Sequence, residues 1–441
     1  MVAGILKWLE GLGVNTAYVL FGLGGLLIFC IYLYINVQFA RIFGFAIALS
    51  PLWLPVILFL TFFEKWKGYV KKDFLLNQGN VTLEILLPEE ILKSPLAMEL
   101  VIAQLYQKAS PDNLVQTYID GKHPPVFSLE LVSDGGRVRF FINTPRKKFK
   151  NLIEAQLYSQ YPGIEVRELA VDYTAEIDKD LTEFSIFSLH FSKKPNVTPI
   201  KTYIDYKLDM NPEEEEKIDP ITQQLDMLGS ISPDERIWIQ IIITAHREES
   251  FKVGSLTTTP DWSGDLKAEI NKLAMRDDKK MGVIDLEASS MPRMTDGERL
   301  AVAALEKRQS QSPFTTGIRA IYAVKKGKEY LLGERIGAII TSWVQYNGMN
   351  AIGIKWRTDV DWPWWQDPKG TVRDAMKKRE LDEYKRRYYE AQGQNDVTCI
   401  MTPDELATIF HLPGKVAVTP TLPRIPSARA EAPPNLPVGE F

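Results

Sequence analysis

The sequence predicts an α+β chain: a transmembrane helical hairpin, then two ferredoxin-like α/β sandwich modules, then a proline-rich tail. Three observations predict it. Two long uncharged apolar runs stand near the N-terminus; an order of strand, helix, strand, strand, helix, strand comes after them; and the closing stretch ARAEAPPNLPVGEF, Ala428 to Phe441, has the composition of an extended linker. Of the 441 residues 45% are apolar and 24% charged, which is globular composition with room for several domains. The boundaries read as 1–75 for the anchor, 76–200 for the first module and 201–265 for a variable acidic and Gly/Ser/Thr segment that holds one strand of the second module. The second module occupies 266–370, a basic helix with a short docking helix 371–415, and the extended tail 416–441.

The anchor is argued from Thr16 to Ile35, twenty residues without a charge, and from Ile42 to Phe63, where Pro51 and Pro55 predict a kink. Lys65, Lys67, Lys71 and Lys72 come after the second run, and this basic cluster marks a membrane surface whose following residues stay on the cytoplasmic side. Neither run holds an ionisable residue, so no proton or ion path is expected. Outside residues 1–75 the chain carries 46 Lys/Arg against 53 Asp/Glu, and a mildly acidic body does not suit a general nucleic-acid binder. Cys30 and Cys399 are too few and too far apart for a disulfide framework or a cysteine zinc site.

In the first module, VTLEILLP (Val81 to Pro88) alternates as a strand, and Ser94-Pro95 opens a helix through LAMELVIAQLYQ. PVFSLELVSD and RVRFFINTP flank Gly135-Gly136 as a hairpin. Phe149, Leu152, Ile153, Leu157 and Tyr161 then repeat at helical spacing before the strand IEVRELA. The second module starts at RIWIQIIITAHRE, continues through a helix capped by Thr295 and Glu298, and closes on GIRAIYAVKK and a helix over YLLGERIGAIITSWVQYN. Between the modules, NPEEEEK (Asn211 to Lys217) reads as a solvated loop.

No nucleotide, metal or covalent chemistry is legible. Gly414-Lys415 is followed by Val416 and lacks the first glycine of a P-loop, and His123, His190, His246 and His411 have no ligand spacing. No catalytic residue, cofactor or metal is therefore expected. One candidate nucleic-acid surface joins Trp362, Trp364 and Trp365 to the cations Lys377, Lys378, Arg379, Arg386 and Arg387, since aromatics beside cations can stack bases and neutralise phosphates. Asp359, Asp361, Asp374, Glu380, Asp382 and Glu383 interleave them, which instead suits a solvated or partner-packed face.

CIMTPDELATIFHLPG reads as a short helix with Thr402 as cap, Pro403 at its first position, Glu405 closing a capping box, and Leu406, Ile409 and Phe410 as its apolar face. Together with the tail, and with FSLELVSDGGRVRFFINTP, EAQLYSQYPGIEV and MTDGERLAVAALEKR, it resembles the region upstream of the motor in membrane-anchored HerA/FtsK-type ATPases of conjugative, type IV secretion-like systems. The likeness runs from about Val81 to Pro437. The Walker motifs of that family do not follow, so ATP hydrolysis is not carried over. The resemblance implies a noncatalytic subunit in a bacterial inner membrane, its soluble part cytoplasmic, that docks a separate P-loop ATPase through Thr402, Glu405, Leu406, Ile409, Phe410, His411, Pro433, Pro434 and Leu436. It further implies a homo-oligomer around the motor, with DNA an open question as a partner. The alternatives are a self-assembling membrane scaffold without a motor and a single-stranded DNA-guiding module.

Overall fold

The computed structural model describes residues 16–35, 44–45, 47–88, 93–107, 114–145, 149–210, 218–246, 262–274, 295–358, 367–389, 397–414 and 422–425. In chain order the first half comprises α1 (Thr16–Ile35), α2 (Ser50–Asn77), β1 (Asn80–Pro88), α3 (Leu96–Gln104), α4 (Leu114–Tyr118), β2 (Val126–Asp134), β3 (Arg137–Pro145), α5 (Lys150–Gln160) and β4 (Glu165–Glu168). The second comprises β5 (Phe184–Ser192), α6 (Pro220–Gly229), β6 (Glu235–Ala245), α7 (Trp262–Leu273), α8 (Asp296–Gln309), β7 (Phe314–Lys325), α9 (Leu332–Thr341) and β8 (Gly353–Arg357). The chain then adds α10 (Thr371–Lys385), β9 (Thr398–Met401), α11 (Pro403–Ile409) and β10 (Arg424–Ile425).

All ten strands belong to one sheet. The first half orders its strands β4–β1–β3–β2, and the second orders its own β8–β5–β7–β6, so each half repeats the same sequence of neighbours. The halves meet where β2 pairs antiparallel with β6, from Val126 opposite Thr244 to Asp134 opposite Arg236. This corrects the expected pair of separate sandwich modules: both halves share one sheet and one hydrophobic core. The second half also starts earlier than expected, at β5, whose alternating FSIFSLHFS lies inside the stretch given to the first module. α7 and α8 are an insertion between β6 and β7, and they pack through Trp262, Leu266, Ile270, Val302 and Leu305.

The transmembrane hairpin is also corrected, and with it the inner-membrane placement and the description as a membrane protein. Among the described residues no helix is long and apolar enough to cross a membrane. In the second apolar run, α2 begins at Ser50 with Pro51 in its first turn and contains Pro55. Glu64, Lys65 and Lys67 enter after fourteen residues, about 21 Å of helix against about 30 Å of hydrocarbon. The basic half of α2 instead lies on the body. Trp66 Nε1 donates to the Tyr118 carbonyl at 2.7 Å, Val70 is buried, and Lys72 sits 4.7 Å from the centre of the Tyr388 ring. Lys65 is exposed, and Lys67 and Lys71 are half-buried.

Strand alternation sorts the sheet into two faces. Val81, Leu83, Ile85, Leu129, Leu131, Phe140, Ile142, Ile239, Ile241, Ala320 and Tyr322 point to the face covered by α3, α5, α6, α9 and α11. Val132, Phe141, Ile186, Trp238, Ile321 and Ala323 point to the other, where Tyr173, Ile177 and Leu181 and the α10 residues Leu381 and Tyr384 cover them. The β2–β3 turn takes the positive φ its two glycines permit, 58° at Gly135 and 91° at Gly136. Gly317 of β7 serves differently, since a Cβ there would lie 2.6 Å from the Tyr389 ring. Gly317→Ala is expected to cost about 1–3 kcal/mol by overpacking in urea unfolding, and most of that cost should vanish in a Tyr389→Ala background; an undiminished cost there would show that the tyrosine is not the obstacle.

Candidate functional site

Four residues directly opposite one another cross the sheet's second face as a polar row: His190 of β5, Arg319 of β7, Gln240 of β6 and Glu130 of β2. A polar side chain at the buried position of each of four adjacent strands is costly unless all are satisfied. α10 and the turn after it supply partners. His190 Nε2 lies 2.8 Å from Glu380 and Nδ1 3.0 Å from the Tyr389 hydroxyl. Arg319 Nε donates to Gln240 at 2.7 Å and its Nη2 to the Glu383 carbonyl at 2.8 Å. Gln240 Nε2 donates to Glu130 at 2.8 Å, and Glu130 also accepts from Ser128, Tyr173 and both Nε and Nη2 of Arg387. Arg387 reaches this position from a left-handed backbone, φ 52°, and its second partner, Asp172, lies 2.8 Å away.

Charge follows geometry. Burial opposes ionisation of Glu380, yet the His190 ring and Arg319 hold its carboxyl below the ordinary range. One turn along, burial and the neighbouring Glu380 push Glu383 up. Burial and Glu130 push the Tyr173 and Tyr384 hydroxyls up, while Glu130, Tyr173 and Asp172 overcome burial to keep Arg387 firmly protonated. Glu130, Gln240, Arg319, His190, Glu380 and Arg387 are all more than nine-tenths buried. The His190–Glu380–Tyr389 grouping thus has the donors of an acid–base relay without a face on solvent, and its chemistry is to fasten α10 to the sheet. Among the described residues no group of His, Cys, Asp and Glu could hold a metal ion.

A second buried cluster sits on the opposite face, around the segment expected to dock a partner. Every residue of α11 is buried, and so are Thr402, Phe410 and His411. The surface that this short helix needs is its own chain, for α11 wedges between α3 and α6 and Phe410 meets Phe140 edge to face. Glu405 organises it. Its Oε1 accepts from Lys193 Nζ at 2.5 Å and from the Ile200 amide at 2.9 Å. Its Oε2 accepts from the Thr402 amide at 3.0 Å and pairs with Arg308 of α8 at 2.7 Å. Thr408 accepts from the Tyr203 amide, and the Tyr203 hydroxyl donates to Glu99 of α3. Against full burial, Arg308 and Lys193 bring the Glu405 carboxyl down to about 2. Burial and the adjacent Arg308 outweigh Glu405 at Lys193 and bring its ammonium down to about 8. Both shifts are downward, which favours the charged carboxylate and disfavours the charged ammonium, because one carboxylate serves two cations: the anion is over-compensated and the weaker cation under-compensated.

Of the other expected residues, Trp362, Trp364, Trp365, Pro433, Pro434 and Leu436 lie outside the described residues, as do Asn211 to Lys217. The basic residues of α10 are turned to partners within the chain: Lys377 to the Phe187 ring at 4.2 Å, Lys378 to Asp180 at 3.3 Å, Arg379 to Glu383 at 3.0 Å and, just past the helix, Arg386 to Asp382 at 2.9 Å. Arg387 is buried against Glu130, so the five cations do not form one face. Sequence reasoning missed the row itself, although a histidine, an arginine, a glutamine and a glutamate each interrupting an otherwise apolar strand was the available signal.

Residues 115–423 match the family described as a domain of unknown function, DUF8128. The chain belongs to the DUF8128 family. The match takes in both clusters of this DUF8128 chain, from β2 through α11, and stops short of β10. A search of curated proteins gives no match.

The α11 cluster yields two expected outcomes. Glu405→Gln leaves two buried cations without their anion and is expected to cost about 3–5 kcal/mol, whereas Lys193→Met, which leaves Arg308 paired, should change stability by less than about 1 kcal/mol or increase it. Urea unfolding of the two variants checks this, and equal costs would dissolve the shared-anion account. His411 donates from Nδ1 to the Ala407 carbonyl and faces Asp219 from Nε2 at 3.0 Å, an arrangement that needs both ring protons. Burial opposes the charge, but Asp219 and these hydrogen bonds raise the His411 pKa above 6.5, and His411 lowers Asp219 below 3.8 against burial. The histidine's contribution to stability is therefore complete below pH 6.5 and lost as pH rises through its raised folded value, while that of Asp219 is present above pH 3.8 and lost on further acidification. Unfolding free energy measured from about pH 5 to about pH 9 should fall across the histidine limb in the wild type and stay flatter in His411→Gln.

Proposed function

We propose that the chain is a noncatalytic platform that docks a separate HerA/FtsK-type ATPase. The observation that carries the reading is the placement of TPDELATIFHLPG. This segment, which bears the strongest likeness to the sequence ahead of those motors, is locked into the core between the two halves by Glu405 rather than left on the surface. The chain continuing from it returns as β10, which pairs parallel with the end of β1 through Leu87–Arg424 and Pro88–Ile425. A partner held by the residues beyond 425 would thus be held at one edge of a rigid sheet, in a direction set by the core.

The buried state of Thr402, Glu405, Leu406, Ile409, Phe410 and His411 changes their part in this reading. They fix the exit point, and direct contact with the ATPase falls to the proline-rich residues beyond it, Pro433, Pro434 and Leu436 among them. An extended proline-rich segment suits that task because it has little backbone freedom left to lose on binding. The polar row, hydrogen-bonded except at Arg319 Nη1 and with no member facing solvent, supports a structural rather than a catalytic part for the sheet.

The test is affinity between the full chain and a HerA/FtsK-type ATPase from the same genome, by analytical ultracentrifugation. Removal of residues 426–441 is expected to weaken the complex by at least about tenfold, or 1.4 kcal/mol, with the melting temperature of the chain unchanged. Equal affinity without those residues, or large homo-oligomers of the chain alone with no ATPase binding, would overturn the reading.

A further inference from the structure

A cavity of about 230 Å³ opens between the body-facing half of α2 and the C-terminal end of α10, beside the Arg387 end of the polar row. Its apolar lining is Leu75 and the half-exposed Leu76 of α2 with Val126 and Pro145 at the ends of β2 and β3. Lys72, which lies over the Tyr388 ring, Arg379 and Arg386 line it as cations, and Asn80 and Asn143 add amides. Two acids, Asp382 and Glu383, share the lining, each engaged by an arginine one turn away, Asp382 by Arg386 at 2.9 Å and Glu383 by Arg379 at 3.0 Å. The Arg386–Asp382 pair lies between half-exposed side chains and is worth little, so Arg386 can turn to a stronger anion at small cost, whereas Arg379 stays with the buried Glu383. Arg387 also lines the cavity, but its guanidinium is committed to Glu130 and Asp172 and serves as a fixed positive wall.

An apolar lining beside cations selects a ligand with a flat apolar body and one strongly anionic group. Guanidinium groups favour the planar, bidentate contacts of phosphate. The volume lies below the roughly 300–1,000 Å³ of most small-molecule sites, which limits the ligand to about one ring system and one phosphate and excludes a nucleic-acid strand. We propose that this cavity binds a phosphate monoester of mononucleotide size, the phosphate on Lys72 and Arg386 and the ring on Leu75, Leu76 and Val126. The site joins α2 to α10, so an occupant links the N-terminal helix to the element that covers the polar row. Ligand binding here is independent of ATPase docking.

Isothermal titration calorimetry of the full chain with AMP, adenosine and inorganic phosphate as separate probes tests it. AMP is expected to bind saturably, with adenosine and phosphate each at least about tenfold weaker, and Lys72→Glu or Arg386→Glu is expected to reduce AMP affinity by about tenfold or more. Arg386 is exposed and Lys72 half-buried, and circular dichroism melting of each unliganded variant establishes that it is folded; Arg386→Gln provides a milder second variant, expected to lose affinity in the same direction. Absence of saturable AMP binding, phosphate binding as tight as AMP, or AMP affinity unmoved in every folded variant would overturn the assignment.

Discussion

One carboxylate fixes the last helix, α11, against the second half on the helical face. Glu405 caps its own helix through the Thr402 amide and reaches three other parts of the chain: Lys193 just past β5, Arg308 on α8 and the Ile200 amide. A fully buried anion with four donors can occupy only one position, because any shift strands a donor or a charge in an apolar surround. α11 is seven residues long and would not hold a helical conformation alone. Its place between α3 and α6 is therefore set by this electrostatic fit together with its apolar face, and the insertion α7–α8 is tied to the core by the same group.

The opposite face solves a different problem. A sheet in which each half repeats one strand order, joined through β2 and β6, could slide along that junction with little change in backbone hydrogen bonding. A slip of one residue would carry every side chain to the other face. The row His190–Arg319–Gln240–Glu130 penalises any slip, since each member is opposite its partner in one register only. α10 and Arg387 then close the row from above. Replacing such a network by apolar residues often leaves stability unchanged or raises it, so its benefit lies in uniqueness of pairing rather than in free energy. The left-handed backbone at Arg387, unfavourable for a residue with a Cβ, is consistent with a position fixed by its partners.

Local patterns in the sequence read through to the fold wherever neighbours alone decide the outcome. Gly135-Gly136 between alternating strands gives the hairpin, Thr295 and Glu298 cap α8 as expected, and the spacing of Phe149, Ile153 and Leu157 gives α5. The failures are cases in which distant contacts decide. β5 and α6 merge into a first module and an acidic connection in a local reading, because nothing local says that FSIFSLHFS pairs with a strand more than a hundred residues later. The second apolar run reads as a single span from Ile42, but α2 begins at Ser50, and its basic half packs on α4 and Tyr388 instead of marking a surface. The cations of α10 look like one patch in sequence, yet helical spacing turns each toward a different partner.

The two clusters also differ in what they ask of solvent. On the polar row both the acids and their partners are enclosed, so that face is insulated from changes outside it. In the α11 cluster one carboxylate serves two cations, and Lys193, brought down to about 8, is the less compensated of them. A carboxylate shared by two buried cations is harder to remove than either cation. That asymmetry makes Glu405 the irreplaceable partner and leaves Lys193 and Arg308 the exchangeable ones. It also explains why a segment as short as TPDELATIFHLPG can be read from sequence at all. The residues that make the helix, Thr402, Pro403 and Glu405, include the one that anchors it, so the local signature and the tertiary constraint fall on the same side chain.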